Sequence, residues 1–576
     1  MSTDGTGEPP LTRAQLRAQR AAQAAQENPT VPDAGVPEAP VPGVPEQPEA
    51  PAAGIPAAEA PTAPPVPTPT TPVTTGIPAA AYETGADTPD VGRSPASGPT
   101  SGVSAPEVSP ARRQTPEPRE TPARDRRFAL TLWSVLGVLA LIVGILGVVS
   151  VTQGPRLSEV QVDPAQAIET SGSRIILTAN QRLETIDAAQ VTVEPAVPFT
   201  VDATGRSVGV RFTAPLDDST TYQVTVAGVT AVGGGPSSDL ATSFTTPASE
   251  IFLLQRAVDG DDKIFTTDLS GERATPVFTH PRIDDYRATG DQLVVAVEED
   301  DGTRLLVMNR DGSDERELQL PGDGYVTSVQ VSDRGGLVGY SYSDRELTET
   351  SGRASVLVTQ PLRGEGEPRV VQIDGADASI AEWQFVPDSS SLLFIDFDGA
   401  LSLEDPTGDA GVQSMGIAAS ILGVTRTTYT AIIERADASI VELNLTDGSE
   451  EPLTESDPDY GPPTSIETFP GGTLRHIVQR DDTGMPTGQA VVKVDDDGTA
   501  TVITEVSGTD SILQVCASPS GQYAAVAIAP DLPTNDYDDL LLPLPSTLHT
   551  QLIDLRGDEE MPRLSGFDIS WCRMAP

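Results

Sequence analysis

At 576 residues the chain has room for about three or four domains. It carries 36 Lys and Arg against 84 Asp and Glu, a formal charge of −48. That balance excludes tight binding to nucleic acid, which needs clustered cations for phosphate, and argues against the folded part lying on anionic lipid. The two cysteines, Cys516 and Cys572, are too few for a disulfide scaffold. The three histidines, His280, His476 and His549, are too far apart for a metal-ligand spacing such as HxxxH.

The first 127 residues read as a disordered arm. Residues 28–123 are dominated by Pro, Ala, Thr, Gly, Val and Glu, with almost no aromatic side chain. Such a stretch buries too little apolar surface to offset the entropy of ordering, and its VP and AP steps favour an extended spacer. Residues 11–27, LTRAQLRAQRAAQAAQE, differ in being rich in good helix formers. Thr12 can cap such a helix, and Arg13, Arg17 and Arg20 share one face. The segment reads either as a docking or lipid-surface helix or as a solvated helix in a tail. The lack of an opposing apolar face favours the second. It is similar to the Thr-Arg-rich basic motifs near the N-termini of actinobacterial membrane proteins. The near absence of lysine, found only at Lys263 and Lys493, resembles the usage of a GC-rich bacterium.

Residues 128–151 read FALTLWSVLGVLALIVGILGVVSV, 24 residues without a charge. At a rise of 1.5 Å per residue such a helix reaches roughly 36 Å, enough for a hydrocarbon core of about 30 Å. The long preceding arm and the length of the run argue against a cleaved signal peptide. Arg112, Arg113, Arg119, Arg124, Arg126 and Arg127 crowd its N-terminal side, whereas Arg156 stands alone on the other. The positive-inside rule therefore places the arm in the cytoplasm and everything after residue 151 outside. Gly137 and Gly144 share a face without forming GxxxG, so helix dimerisation is weakly signalled.

Between 157 and 247 the pattern becomes short alternating runs: RIILTA, AQVTV, SVGVRFT, TYQVTVAG and ATSFTT. Turn residues separate them, and this spacing predicts a β-sandwich with Tyr222, Val224 and Val226 on its core face. The stretch TYQVTVAGVTAVGGGPSSDLATSFTTP resembles the end of bacterial Ig-like domains of the S-layer SbsA type. Tyr222, Val224, Val226, the loop at 233–235 and residues 244–246 carry the match. The resemblance implies a non-enzymatic spacer or adhesive module.

Residues 251–576 repeat a unit of roughly 40–50 residues made of four short strands, the mark of propeller blades. Units start near 282, 325, 379, 417, 464 and 511. The segment before them supplies three strands, and FDISWC near the C-terminus matches the inner-strand position of LQVC at 513–516. A C-terminal strand completing the first unit gives a seven-bladed ring. The hairpins NRDGSD, LTDGSE and DDDGTA are expected to turn as Asp-Gly type I′. The units are similar to WD40-like and TolB-type propeller repeats, the match resting on residues 518–521 and 387–389. That resemblance implies protein or ligand binding without catalysis. In such a ring Cys516 and Cys572 fall near the ends of neighbouring inner strands, where a disulfide would pin the closure. The alternative is two buried free thiols.

No nucleophile elbow, HExxH, Walker A or dinucleotide fingerprint is present. Acidic runs at 259–262 and 495–497 lack the twelve-residue calcium loop with its closing Glu and read as turn residues. No catalytic, cofactor-binding or metal residue is assigned. The expectation is an all-β ectodomain, a sandwich plus a propeller, on one transmembrane helix that carries a disordered arm. Its function would be a non-catalytic cell-surface binding or scaffold protein, with a protein or an envelope polymer as ligand. The alternative is an envelope hydrolase or ligand sensor using the propeller's central mouth.

Overall fold

The structure, a computed structural model, describes residues 124–576 apart from residues 349, 365, 427, 558 and 559. The segment at 11–27 and the arm up to residue 123 lie outside the described residues. Helix α1 spans Arg124–Thr152, so it begins among the arginines rather than at the first apolar residue. Arg is itself a good helix former, and nothing at 124–127 breaks the turn. Side chains are described for 128–144 of this helix, and all of them are exposed. Among the described residues no helix is long and apolar enough to cross a membrane.

The next segment folds as two sheets around one core. Strands β1 Leu157–Gln161, β2 Arg174–Ala179, β3 Val191–Glu194, β4 Phe199–Thr204, β5 Ser207–Phe212, β6 Thr221–Val229 and β7 Ser238–Thr245 follow in order. One sheet has the order β1-β2-β5-β4 and the other β3-β6-β7. Period-2 alternation sends Ile175 and Leu177 of β2, Val208 and Val210 of β5, and Tyr222, Val224 and Val226 of β6 into the same core. A short helix, α2 Pro164–Glu169, and a 3-10 turn at Ala188–Gln190 interrupt the strands. Asp163 caps it, its Oδ1 accepting from Gln166 N at 3.1 Å, and Pro164 occupies the first turn.

From Glu250 onward the chain builds, among the described residues, six four-stranded sheets and one three-stranded sheet in succession, with one extra two-stranded hairpin. The six four-stranded meanders begin at Ile283, Gly324, Ile380, Ser420, Pro463 and Ser511. Numbered by position in the ring they are blades 2 to 7. Blade 1 is the three-stranded sheet Glu250–Gln255, Asp262–Asp268 and Thr275–His280. Each sheet stacks on its neighbours. Leu337 and Leu357 of blade 3 pack on Trp383 and Phe394 of blade 4, and Ile251 and Leu253 of blade 1 pack on Ala525 and Leu552 of blade 7. The last contact closes the ring into a β-propeller arrangement. Second strands such as Leu392–Asp396 are covered on both sides and are almost wholly buried, whereas the rim strand Glu450–Pro452 is wholly exposed.

The innermost strand of blade 1 comes from the far end of the chain. Phe567 and Leu254 exchange N–H to O hydrogen bonds, both 2.9 Å, and Ser570 N donates to Phe252 O at 3.0 Å. The Asp-Gly hairpins are not type I′, which needs positive φ at both central residues. Gly312, Gly448 and Gly498 have φ of 81, 72 and 87°, but the aspartates before them are not in that region. Each aspartate instead accepts from a backbone N–H two residues on, as Asp447 Oδ1 does from Ser449 N at 2.9 Å. This Asx turn followed by a left-handed glycine makes a longer loop with a bulge.

Candidate functional site

The inner strand of blade 2, Ile283–Ala288, places two acids and an arginine, IDDYRA, where other blades carry mostly neutral side chains. Asp285, Tyr286 and Arg287 are all buried. Arg287 Nη1 lies 2.7 Å from Asp568 Oδ2 and 2.9 Å from Asp285 Oδ1. Its Nε donates to Val329 O of blade 3 at 2.9 Å and to Arg573 O at 3.2 Å. Asp285 Oδ2 accepts from Val329 N at 3.2 Å, Asp568 Oδ1 accepts from Gln514 Nε2 of blade 7 at 2.8 Å, and Tyr286 Oη donates to Asp568 O at 2.6 Å. Burial drives the Asp285 carboxyl well above the usual carboxylate range. Arg287 opposes that rise and Asp568 adds to it. One guanidinium thus ties together the inner strands of blades 1, 2 and 3.

Residues Arg573 and Met574 continue from the closing strand across the ring. Arg573 donates from both terminal nitrogens to Val424 O of blade 5 at 3.2 Å and lies 3.4 Å from Glu467 Oε1 of blade 6. Gln514 Nε2 of blade 7 donates to Met574 O at 2.6 Å. Contacts with blades 2, 5, 6 and 7 from two consecutive residues mean that this segment crosses the axis. Burial raises the pKa of Glu467, against the pull of Arg573 and Arg426. The structure brings Cys516 and Cys572 together in a disulfide with a Cα–Cα distance of 5.3 Å. The bridge fixes the start of the crossing segment to the inner strand of blade 7, Ser511–Ala517.

In antiparallel meanders that all run the same way, loops joining strands one to two and three to four lie on one face of the ring. Loops joining strands two to three, and each blade to the next, lie on the other. The sandwich meets the first face. Ser171 Oγ donates to Asp388 Oδ2 at 2.6 Å, Arg310 Nη1 to Glu169 Oε1 at 2.8 Å, and Gln522 Oε1 accepts from Asp218 N at 3.1 Å. Arg556 pairs with Asp217. Near the axis on this face Arg426 bridges Asp388 Oδ1 at 2.9 Å and Glu169 O at 3.4 Å.

Open clefts lie away from the axis. One, about 490 Å³, is lined by residues 551–553 of the third strand of blade 7 and by 560–563, which lead into its fourth. Another, about 820 Å³, lies on the face away from the sandwich, lined by Asp323, Asp344, Arg345, Glu346, Ser351, Gly352 and Arg353. There Arg353 forks onto Asp344 at 2.7 and 3.2 Å and lowers its pKa to about 2. Its guanidinium also lies 5.1 Å from the Tyr342 ring centre.

Among the described residues no group of three or more His, Cys, Asp and Glu is placed to hold a metal ion. Of the acidic run at 259–262, Asp259 and Asp261 are exposed. Asp262 departs from the turn expectation: it is buried and accepts from Ala257 N at 2.9 Å and from Ile283 N of blade 2 at 2.8 Å. Sequence reasoning also missed the Asp285, Arg287 and Asp568 network. Its signal was three ionisable residues inside one six-residue strand, a costly placement unless they are paired.

No family model matches the chain, and no curated protein matches it. Among solved structures, the chain is similar to one from a nidogen/laminin complex at 15% identity and a TM-score of 0.24, covering 36% of this chain and 82% of that one. It is similar to the tricorn protease at 11% identity and a TM-score of 0.34, covering 71% of this chain and 46% of that one. It is also similar to the WD40 β-propeller domain of Doa1 at 15% identity and a TM-score of 0.31, covering 48% of this chain and 85% of that one. The chain spans less than half the length of the tricorn protease chain.

Proposed function

We propose that this chain is a membrane-tethered, non-catalytic binding or scaffold protein that presents its propeller outside the cell. The observation that carries this reading is the filled axis. A hydrolase or sensor working through a propeller's central mouth needs ionisable groups that a ligand can reach. Here Asp285, Arg287 and Asp568 are buried, both carboxyl groups pair with the one guanidinium, and Arg573 and Met574 cross the ring beside them. The polar cluster therefore serves as a strut, and the surface is left for binding a protein or an envelope polymer.

The tether rests on the uncharged run at 128–151 and the arginines before it. By chain order the sandwich then acts as an Ig-like spacer between the bilayer and the propeller, and the propeller acts as WD40-like and TolB-type repeats do, by presenting loops. The test is membrane fractionation of cells expressing the full chain, with alkaline carbonate extraction and protease shaving of intact cells. The expected result is a chain that resists extraction, loses its β-region to the protease, and becomes extractable when 128–151 is deleted. A full chain found in the soluble fraction overturns the tether, and a shaved arm with a protected β-region reverses the orientation.

A further inference from the structure

The propeller exposes large apolar side chains unevenly. Among the described residues of the propeller, Val258, Leu347, Phe397, Ile417, Met485, Tyr537 and Leu542 are exposed, with Val258 at 81% and Met485 at 63%; Val502 on the outermost strand of blade 6 and Met574 of the crossing segment are less so, at 36 and 38%. The first seven lie on the face away from the sandwich: Ile417 ends the fourth strand of blade 4, and the other six belong to loops joining strands two and three. The loops on the face that meets the sandwich expose no large apolar side chain among the described residues. A single exposed apolar side chain is ordinary, but a set gathered on one face and edged by polar residues marks an interaction surface.

The edging here is mostly acidic, with Arg345 and Arg480 as exposed cations among the carboxylates. Asp259 and Asp261 follow Val258, Glu346 precedes Leu347, Asp481 and Asp482 precede Met485, and Asp536 precedes Tyr537; all are exposed. Such a rim repels anionic lipid and acidic polymers and draws in cations. We propose that this face docks a basic polypeptide segment that carries apolar side chains. The apolar tips bury against the partner's apolar side chains, and the surrounding carboxylates pair with its Lys and Arg at the wet edge, where they set approach and register. The inference deepens the scaffold reading, on which it rests for the idea that the propeller works by binding.

The test uses the full chain in zwitterionic lipid nanodiscs, with empty discs subtracted. The probe is a labelled amphipathic Lys/Leu peptide, compared with Lys/Ser and Glu/Leu peptides of equal length. Saturable binding is expected for Lys/Leu only, about tenfold weaker in added salt and about tenfold weaker in Val258→Ser/Met485→Ser/Tyr537→Ser. A second variant, Asp481→Asn/Asp482→Asn, should weaken binding while leaving the thermal midpoint unchanged. Lys/Leu binding indifferent to both variants, or equal binding of Lys/Ser, overturns the proposal. So does a dimeric chain that the triple variant makes monomeric, since the face would then belong to a second copy. A soluble chain that still binds Lys/Leu through this face would sink the tether alone. A chain anchored as expected that binds no peptide would sink the docking face alone.

Discussion

Arg287 holds Asp285 and Asp568 at 2.9 and 2.7 Å in a place water does not reach. Removing the guanidinium leaves buried carboxyl groups without their cationic partner, which costs about 3–5 kcal/mol. Arg287→Ala should therefore lower unfolding free energy by about that amount, read as a drop in the urea midpoint at constant slope. Asp285 allows a pH prediction. Its carboxyl is raised above the usual range by burial, so the folded chain keeps a proton that the unfolded chain has already lost. Stability from this group is present at acid pH and is lost as pH rises from about 4 through the raised value. Asp285→Asn should flatten that decline in urea titrations from acid to alkaline pH, and parallel curves for the two proteins would refute the assignment. Residues of this kind were hard to read in the sequence. Arg287 meets Asp568 from 281 positions away, and Asp262 meets Ile283 in the next blade. A local window shows an Asp beside a Gly and reads it as a turn.

Elements were more legible than their partners. The alternation in RIILTA and TYQVTVAG marks strands because one face of each is buried, and β2 and β6 bury their alternate residues. The meanders begin at Ile283, Gly324, Ile380, Ser420, Pro463 and Ser511, each within three residues of the start read from turn residues and apolar runs. Helix α2 gave no periodic signal because six residues are under two turns; only Asp163 and Pro164 hinted at it. The hairpin type was missed because Asp-Gly suits two loop lengths, and the choice depends on the register of the flanking strands. Gly448 and Gly312 separate the two contributions of such a turn. Both have positive φ, but a Cβ at Gly448 meets open space while one at Gly312 runs into the Val277 carbonyl. Gly448→Ala should cost about 1–2 kcal/mol from backbone strain alone. Gly312→Ala should cost clearly more in the same thermal melts, and equal costs would show that the loop yields freely.

Across the whole molecule, the ring is closed by residues near the two ends of the β-region. Phe567 pairs with Leu254, and the Cys516–Cys572 bridge spans 56 positions, from the last blade past the strand that completes the first. Chain-entropy arguments give a loop of that length about 4 kcal/mol of stabilisation. Cys516→Ser/Cys572→Ser should lose roughly that amount, and hydrogen exchange should rise first at Phe252 and Leu254, whose partners are no longer held. Unchanged exchange there would mean that the closing strand holds without its bridge. By itself, the sequence determined what depends on short-range order: the strands, the repeat of four per unit, and an uncharged stretch of 24 residues. Hydrophobic periodicity and turn chemistry are local and need no partner. Only the tertiary structure decided that Arg573 and Met574 cross the axis, that the sandwich covers one face, and that the exposed apolar tips gather on the other. Those outcomes depend on which surfaces meet once the ring has closed, and no stretch of sequence contains both sides of such a contact.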